Sequence, residues 1–197
     1  AADWDTISEE DWGPLVRRRF RRARLRILRV RAGTPEYEMV VALRYRGFVE
    51  SGFLDPSRDG MDSMRLPRDR DSVILGMFRA GRLLATLTLN TLTRRHPGMA
   101  MELEKKVTVH HAHFRDPRVL EITKLVVDPE VRGWRMVLAL LSVTGFIARM
   151  LDKHHLWQVS RDAPSDMSWR AGLGFDYSLG VRFDDPALNG MPSRVGY

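Results

Sequence analysis

Hydrophobic positions along the chain fall into strand-like and helix-like stretches that alternate. Between residues 24 and 31, basic and apolar side chains alternate (Arg24, Leu25, Arg26, Ile27, then Leu28, Arg29, Val30, Arg31), the two-residue period of a half-buried strand. The phase changes at Ile27–Leu28, which predicts a bulge or a strand end there. Thr34–Pro35 opens a helix, since the hydroxyl can accept an orphan amide and proline loses nothing at the first helical position. Tyr37, Val40, Val41, Arg44, Tyr45 and Phe48 then fall near one face of that helix. Gly52 and the Asp55–Gly60 stretch end it in a turn-rich loop, which runs through Asp71 and is expected to be mobile.

Ser72–Arg79 and Arg82–Leu92 are β-rich runs around Ala80–Gly81 and predict a hairpin. Residues 94–118 carry Pro97, Gly98 and Pro117, with helical character expected only around Met101–Val107. Val119–Asp128 reads as a strand that feeds a long apolar helix over Trp134–His154. Leu156–Ser160 is a further strand, Ser165–Gly172 a short helix and Phe175–Val181 a last strand. The order predicts a mixed α/β (α+β) fold: one layered domain over 24–197 around a mixed twisted sheet flanked by helices, preceded by an arm over 1–23.

Composition narrows the chemistry. The 197 residues, 44% hydrophobic and 29% charged, are enough for one globular domain with a sizeable core. With no cysteine, disulfides, thiol nucleophiles and Cys-bound metals are excluded, and a reducing, cytoplasmic setting is expected. The longest apolar run, Met136–Ala148, spans about 20 Å as a helix, short of the ~30 Å of a bilayer core, so no transmembrane segment is expected. The acidic N-terminus is the reverse of a secretory signal.

Net charge is +7, yet it is local: residues 1–16 carry −5, residues 17–31 carry +9, and the remainder +3. Such a cluster attracts polyanions: nucleic acid, anionic lipid or an acidic protein. A nucleic-acid-binding module is one reading, but only Phe20 interrupts the arginines as a stacking surface and the rest of the chain is nearly neutral.

The stretch Glu121–Arg135 (EITKLVVDPEVRGWR) runs from strand through turn to helix. Amides of a helix's first turn point out of its end where the dipole is positive, so a phosphate can bind, with Gly133 allowing close approach and Arg132 and Arg135 adding charge. His110, His111 and His113 point to alternate faces if extended, and no nearby acid completes a site, so no metal is expected. Hydrolase, zinc-protease, P-loop and dinucleotide signatures have no counterpart.

Val127-Asp128-Pro129-Glu130, Arg132-Gly133 and the later Leu173-Gly174-Phe175 resemble landmarks of the GNAT acyltransferase superfamily over residues 34–181. In that superfamily the turn holds the acyl donor, which implies Val127, Arg132, Gly133, Trp134 and Arg135 as phosphopantetheine-binding residues. Arg135 stands where a second loop glycine is usual, which disfavours a tight grip on the coenzyme A pyrophosphate and favours a single-phosphate donor. Arg44 to Glu50, Asp62 and Glu121 resemble landmarks of N-acyl homoserine lactone synthases and, still more, of long-chain N-acyl amino acid synthases, including N-acyltyrosine synthases. Lys124, Thr88 and Phe53–Leu54 depart from the lactone-synthase pattern, which disfavours S-adenosylmethionine as acceptor; a lactone-type signal synthase and an inactive acyltransferase-like domain remain alternatives.

The resemblance implies transfer of a long acyl chain from acyl carrier protein, or from acyl-CoA, to the α-amine of an amino acid such as tyrosine, with no bound cofactor. An amine is mostly protonated at pH 7, so attack needs a base, and Glu121 is the candidate; burial on a central strand would raise its pKa toward a useful value, with Lys124 opposing that if it lies near. In a straight strand, residues 121 and 124 face opposite sides. A backbone amide at Val126 would hold the thioester oxyanion, as the superfamily implies. Arg44 is expected to pair with the acceptor carboxylate or with Asp62, and Phe48 to line the acyl tunnel or simply the core. Acyl carrier proteins are acidic, so Arg17, Arg18, Arg19, Arg21 and Arg22 are the expected docking residues.

Overall fold

The computed structural model describes residues 6–90, 117–131, 133–161, 182–185 and 191–196. Its first helix, α1 (Glu9–Phe20), starts at a capping box in which Ser8 and Asp11 satisfy each other's amides. Trp12 and Val16, one turn apart, are buried, and the Trp12 indole donates to the Ile27 carbonyl at 2.8 Å. The segment read as an arm therefore packs into the same core as the sheet from Ile7 onward, with its arginines on the exposed side.

Strand β1 (Arg26–Val30) follows, then α2 (Pro35–Glu50), capped by the Thr34 hydroxyl as its sequence predicts. The hairpin is β2 (Val73–Arg79) and β3 (Arg82–Asn90), and both turn residues, Ala80 and Gly81, have positive φ (49° and 80°), as a type I′ turn requires. Next come β4 (Val119–Val127), α3 (Trp134–Met150), β5 (His155–Arg161), β6 (Arg182–Asp185) and β7 (Met191–Gly196). α3 stops before the expected His154 because the chain turns at Leu151–Asp152, with Asp152 left-handed (φ 57°).

The described strands form one seven-stranded sheet in the order β1-β2-β3-β4-β5-β7-β6; only β4 and β5 pair in parallel. α2 covers one face through Val40, Val41 and Leu43 against Ile74, Phe78 and Val126. α1 and α3 cover the other, with Trp12, Leu140, Val143 and Ile147 against Leu75, Leu87, Leu120 and Ile122. Both faces being covered explains why β2 is buried from Val73 to Phe78.

It also explains the phase change in β1. Ile27 packs with the α1 side and Val30 with the α2 side, so apolar residues are needed on both faces. The register from Arg26↔Phe78 to Val30↔Ile74 is unbroken, and the expected bulge at Ile27–Leu28 is absent. The loop after α2 is likewise pinned rather than loose: Leu54, Met64 and Asp69 are buried against α2. β6 and β7 were not anticipated, and the expected elements over 101–107, 165–172 and 175–181 lie outside the described residues.

Candidate active site

The central strand departs from regular geometry twice. β4 pairs with β5 only from Val119↔His155 to Ile122↔Gln158, so their ladder stops halfway along β4. On its other edge, Thr88 faces Thr123 and Thr86 faces Val126, which leaves one extra residue in β4 across that interval. Lys124 takes up the extra residue with φ 52°, a left-handed conformation uncommon for lysine. The bulge resets the alternation: Val126 lies with α2, as do Thr88 and Asn90 opposite Thr123 and Glu121, while Leu120 and Ile122 face the other layer. The straight-strand argument for separating Glu121 from Lys124 therefore loses its premise.

Beyond the bulge a cleft of about 440 Å³ opens between α2, β4 and the start of α3. Gly47, Phe48, Ser51 and Phe53 form one wall, Leu125–Val127 the floor, and Gly133, Trp134 and Val137 the other wall. Phe48 and Phe53 meet edge to face, with centroids 5.6 Å apart. Gly47 lets α2 approach β4: a Cβ there would stand 2.4 Å from Val126 Cγ1. Gly47→Ala is expected to lower unfolding stability by about 1–3 kcal/mol, the usual effect of overpacking, and to narrow the cleft. Chemical denaturation checks the stability effect.

α3 begins without a side-chain cap, at Gly133, whose extended backbone (φ 177°) any residue could adopt. A Cβ at Gly133 would meet only the Val131 carbonyl, at 3.9 Å, so packing does not demand glycine there. Its bare backbone instead leaves the helix end approachable. Trp134 is 67% exposed at the cleft wall, and the Arg135 guanidinium lies 5.9 Å from its ring centroid. Arg132 lies outside the described residues.

Asp128 anchors the turn. Its carboxylate accepts from Arg82 Nη2 at 2.8 Å, Arg46 Nη2 at 3.3 Å and the Glu130 amide at 3.1 Å. Burial pushes the Asp128 carboxyl up, but the Arg82 guanidinium, the Glu130 amide and Arg46 outweigh it and hold the group below the usual carboxylate range. These bonds place the arginine cluster too. α1 enters β1 through Arg21–Ala23, β1 begins opposite Phe78 near the hairpin turn, and Arg82 at that turn reaches Asp128. Arginines 17–24 and the β4–α3 turn thus share one end of the sheet. Arg17, Arg18, Arg21 and Arg24 line a second hollow there, of about 700 Å³, with Pro14, Phe20 and Leu25 as its apolar part.

On the α2 face, up-strand of the bulge, polar side chains replace the core. Glu121, fully buried, accepts from Asn90 Nδ2 at 2.8 Å, and Asn90 Oδ1 accepts from the Ser72 hydroxyl at 2.6 Å. Beside this chain Arg44, also fully buried, donates to Asp69 Oδ2 at 2.7 Å and to Thr88 Oγ1 at 2.6 Å. Tyr37 donates to the same Asp69 oxygen at 2.7 Å. Burial, then the bond to Asp69, pushes the Tyr37 phenol up to about 12. Between about pH 10 and 12 the folded chain keeps a proton that the unfolded chain loses, so stability contributed by Tyr37 falls as pH rises through that window. Denaturation at about pH 9 and pH 11.5 should show a steeper loss for the natural chain than for Tyr37→Phe.

A match to known proteins now bears on this geometry. Residues 39–161 match the family model described as N-acyl amino acid synthase FeeM. The chain belongs to this family. Members of the N-acyl amino acid synthase family are acyltransferases, and this chain is an N-acyltransferase with a GNAT-like fold. Among solved structures it is similar to FeeM, an N-acyl amino acid synthase from uncultured soil microbes, with TM-score 0.61 and 14% identity over 87% of this chain and 92% of that one. It is also similar to an acyl-CoA N-acyltransferase from Pseudomonas aeruginosa (TM-score 0.55, 19% identity, covering 87% and 96%) and to the AHL synthase LasI (0.54, 13%, 87% and 88%). No curated protein sequence matches the chain.

Within this synthase scaffold the expected site residues separate into groups. Phe48, Val126, Val127, Gly133 and Trp134 meet at the cleft, with Arg135 against Trp134 at its wall. Glu121 and Arg44 belong to the buried polar network, and Lys124 sits at the bulge between the two groups. The expected pairing of Arg44 with Asp62 is not formed: Asp62, its side chain 87% exposed, bonds Arg65, which also holds Glu38. Asp69 takes Arg44 instead. Asp69, Asn90, Ser72 and Tyr37 were not anticipated; a serine or asparagine at the end of a strand reads as turn chemistry, and a partner 25 residues away leaves no local signal. Among the described residues no group of three His, Asp or Glu could hold a metal and no helix is long and apolar enough to cross a membrane; the three neighbouring histidines lie outside them.

Proposed function

We propose that the protein joins a long-chain fatty acyl group, delivered as the phosphopantetheine thioester of an acyl carrier protein, to the α-amine of an amino acid, with tyrosine the first candidate. The observation that carries this reading is the apolar cleft along post-bulge β4, which runs from the uncapped start of α3 toward the strand that bears Glu121. Phosphate would sit against the amides at Gly133–Arg135, the pantetheine arm along Leu125–Val127, and the thioester oxygen on the Val126 amide. Phe48 and Phe53 offer the acyl chain an aromatic wall.

Glu121 removes a proton from the acceptor ammonium, directly or through water. The amine nitrogen then bonds to the thioester carbonyl carbon, the C–S bond breaks, the leaving thiolate takes the nitrogen's second proton to depart as a thiol, and Glu121 releases the first proton to solvent. No covalent enzyme intermediate is needed. An acidic carrier has a matching surface in Arg17, Arg18, Arg19, Arg21 and Arg22, at the same end of the sheet as the donor turn.

Lipids extracted from cells producing the protein, analysed by mass, should contain N-acylated amino acids whose fragments name both acceptor and chain length; their absence would overturn the reading. Replacing Arg17, Arg18, Arg19, Arg21 and Arg22 with glutamine should slow transfer from carrier-bound donor at low salt and leave a free acyl-pantetheine donor unaffected. An unchanged rate with the carrier would remove the docking role.

A further inference from the structure

At one end of the buried polar network, a half-buried arginine carries a guanidinium nitrogen that has no partner among the described residues. Arg68, in the short turn Pro67–Arg70, has its Nη1 shielded from solvent without a hydrogen-bond partner, and its guanidinium enters no ion pair among the described residues. Shielded donors are normally paired, and a charged one most of all, so an unpartnered guanidinium nitrogen near a candidate base is a place for a bound acceptor.

Its backbone is tied to the chain of polar groups that ends at Glu121. The Arg68 carbonyl lies 3.0 Å from the Ser72 hydroxyl, which holds Asn90, whose amide holds Glu121. Two side chains therefore separate the Arg68 backbone from the Glu121 carboxylate. Thr123, two residues beyond Glu121, has a buried hydroxyl that also lacks a partner. Arg44, fully buried where Arg68 is only half-buried, already has a counter-charge: Asp69 neutralises it, and Thr88 and the Met64 carbonyl accept from its terminal nitrogens, which leaves only its Nε without a partner.

We propose that Arg68, and not Arg44, takes the α-carboxylate of the acceptor amino acid and so presents the amine to Glu121. This assignment rests on the amino-acid acceptor argued above. A guanidinium matches a carboxylate through two parallel N–H bonds, and the unpartnered Thr123 hydroxyl, two residues along β4 from Glu121, is a further donor. A carboxylate-binding cation beside a carboxylate base is the complement of a zwitterion, and it discriminates against simple amines.

The test compares amino acids with their decarboxylated amines, tyrosine against tyramine and phenylalanine against phenethylamine, at saturating acyl donor. The natural protein should prefer the amino acid. Arg68→Gln should raise the KM for the amino acid on the order of 10²-fold, the effect of losing one partner of a buried charge pair, with kcat and the KM for acyl donor little changed. Its rate with the amine should stay as it was, so the preference collapses, and Arg68→Lys should restore part of it. Equal losses on amino acid and amine would show a structural role and overturn the proposal, as would an amino-acid preference that survives in Arg68→Gln. If the natural protein acylates no amino acid at all, the acceptor reading fails and takes the Arg68 role with it; the other failures leave that reading standing.

Discussion

Glu121→Gln is expected to lower turnover by about 10²–10⁴-fold, the range for removing a general base, while the unfolding midpoint stays close to that of the natural chain. Glutamine has nearly the same shape, and its carbonyl oxygen can still accept from Asn90 Nδ2, so the buried bond that orients residue 121 survives. What it lacks is a basic oxygen. Steady-state rates with acyl donor and amino acid measure the loss, and their pH dependence identifies its origin. As pH rises through the acceptor's own pKa, more amine is already deprotonated and the variant's deficit should shrink. A deficit constant with pH would assign residue 121 a structural role, and natural rates from the variant would remove it from the mechanism.

Where local rules decide an element, it was legible from sequence. Thr34–Pro35 set the start of α2, Ala80–Gly81 the hairpin turn, and the apolar run after Gly133 the helix that follows β4. The charge run hid α1: nine arginines over 17–31 drew attention from Ser8, Asp11, Trp12 and Val16, a capping box and an apolar pair one turn apart. β6 and β7 escaped because neither RFDD nor MPSRVG shows a sustained two-residue alternation, and their place in the sheet comes from pairing with β5 and with each other. The bulge at Lys124 runs against residue preference, since glycine or asparagine is the usual occupant of a left-handed position. Local preference is overridden there by the pairing with β3, which leaves one residue extra in β4 just before the cleft. Glu121 stands out in the sequence as a carboxylate on a middle strand, whereas its bonding partners do not, since Asn90 and Ser72 approach from another strand and a loop end.

The second large effect concerns the pair that braces α2 against this network. Asp69→Ala is expected to lower unfolding stability by about 3–5 kcal/mol, because it leaves the Arg44 guanidinium buried without a counter-charge. Arg44 is 0% exposed and the Asp69 side chain 1%, so water cannot replace the lost carboxylate without opening the core. The same deletion strands the Tyr37 hydroxyl and the Leu66 amide, both of which donate to Asp69 Oδ2. Thr88 Oγ1 and the Met64 carbonyl would remain as acceptors for Arg44, but neither carries charge. Asp69→Asn, which keeps an acceptor oxygen, should fall between the natural chain and Asp69→Ala. In the double variant Arg44→Met/Asp69→Leu both charges are gone and the volume is roughly kept, so it should unfold later than Asp69→Ala alone. Urea titrations of the four chains provide the comparison. If Asp69→Ala proves no less stable than the double variant, Arg44 is not the uncompensated charge that the burial implies, and α2 is braced against the sheet by its apolar contacts alone.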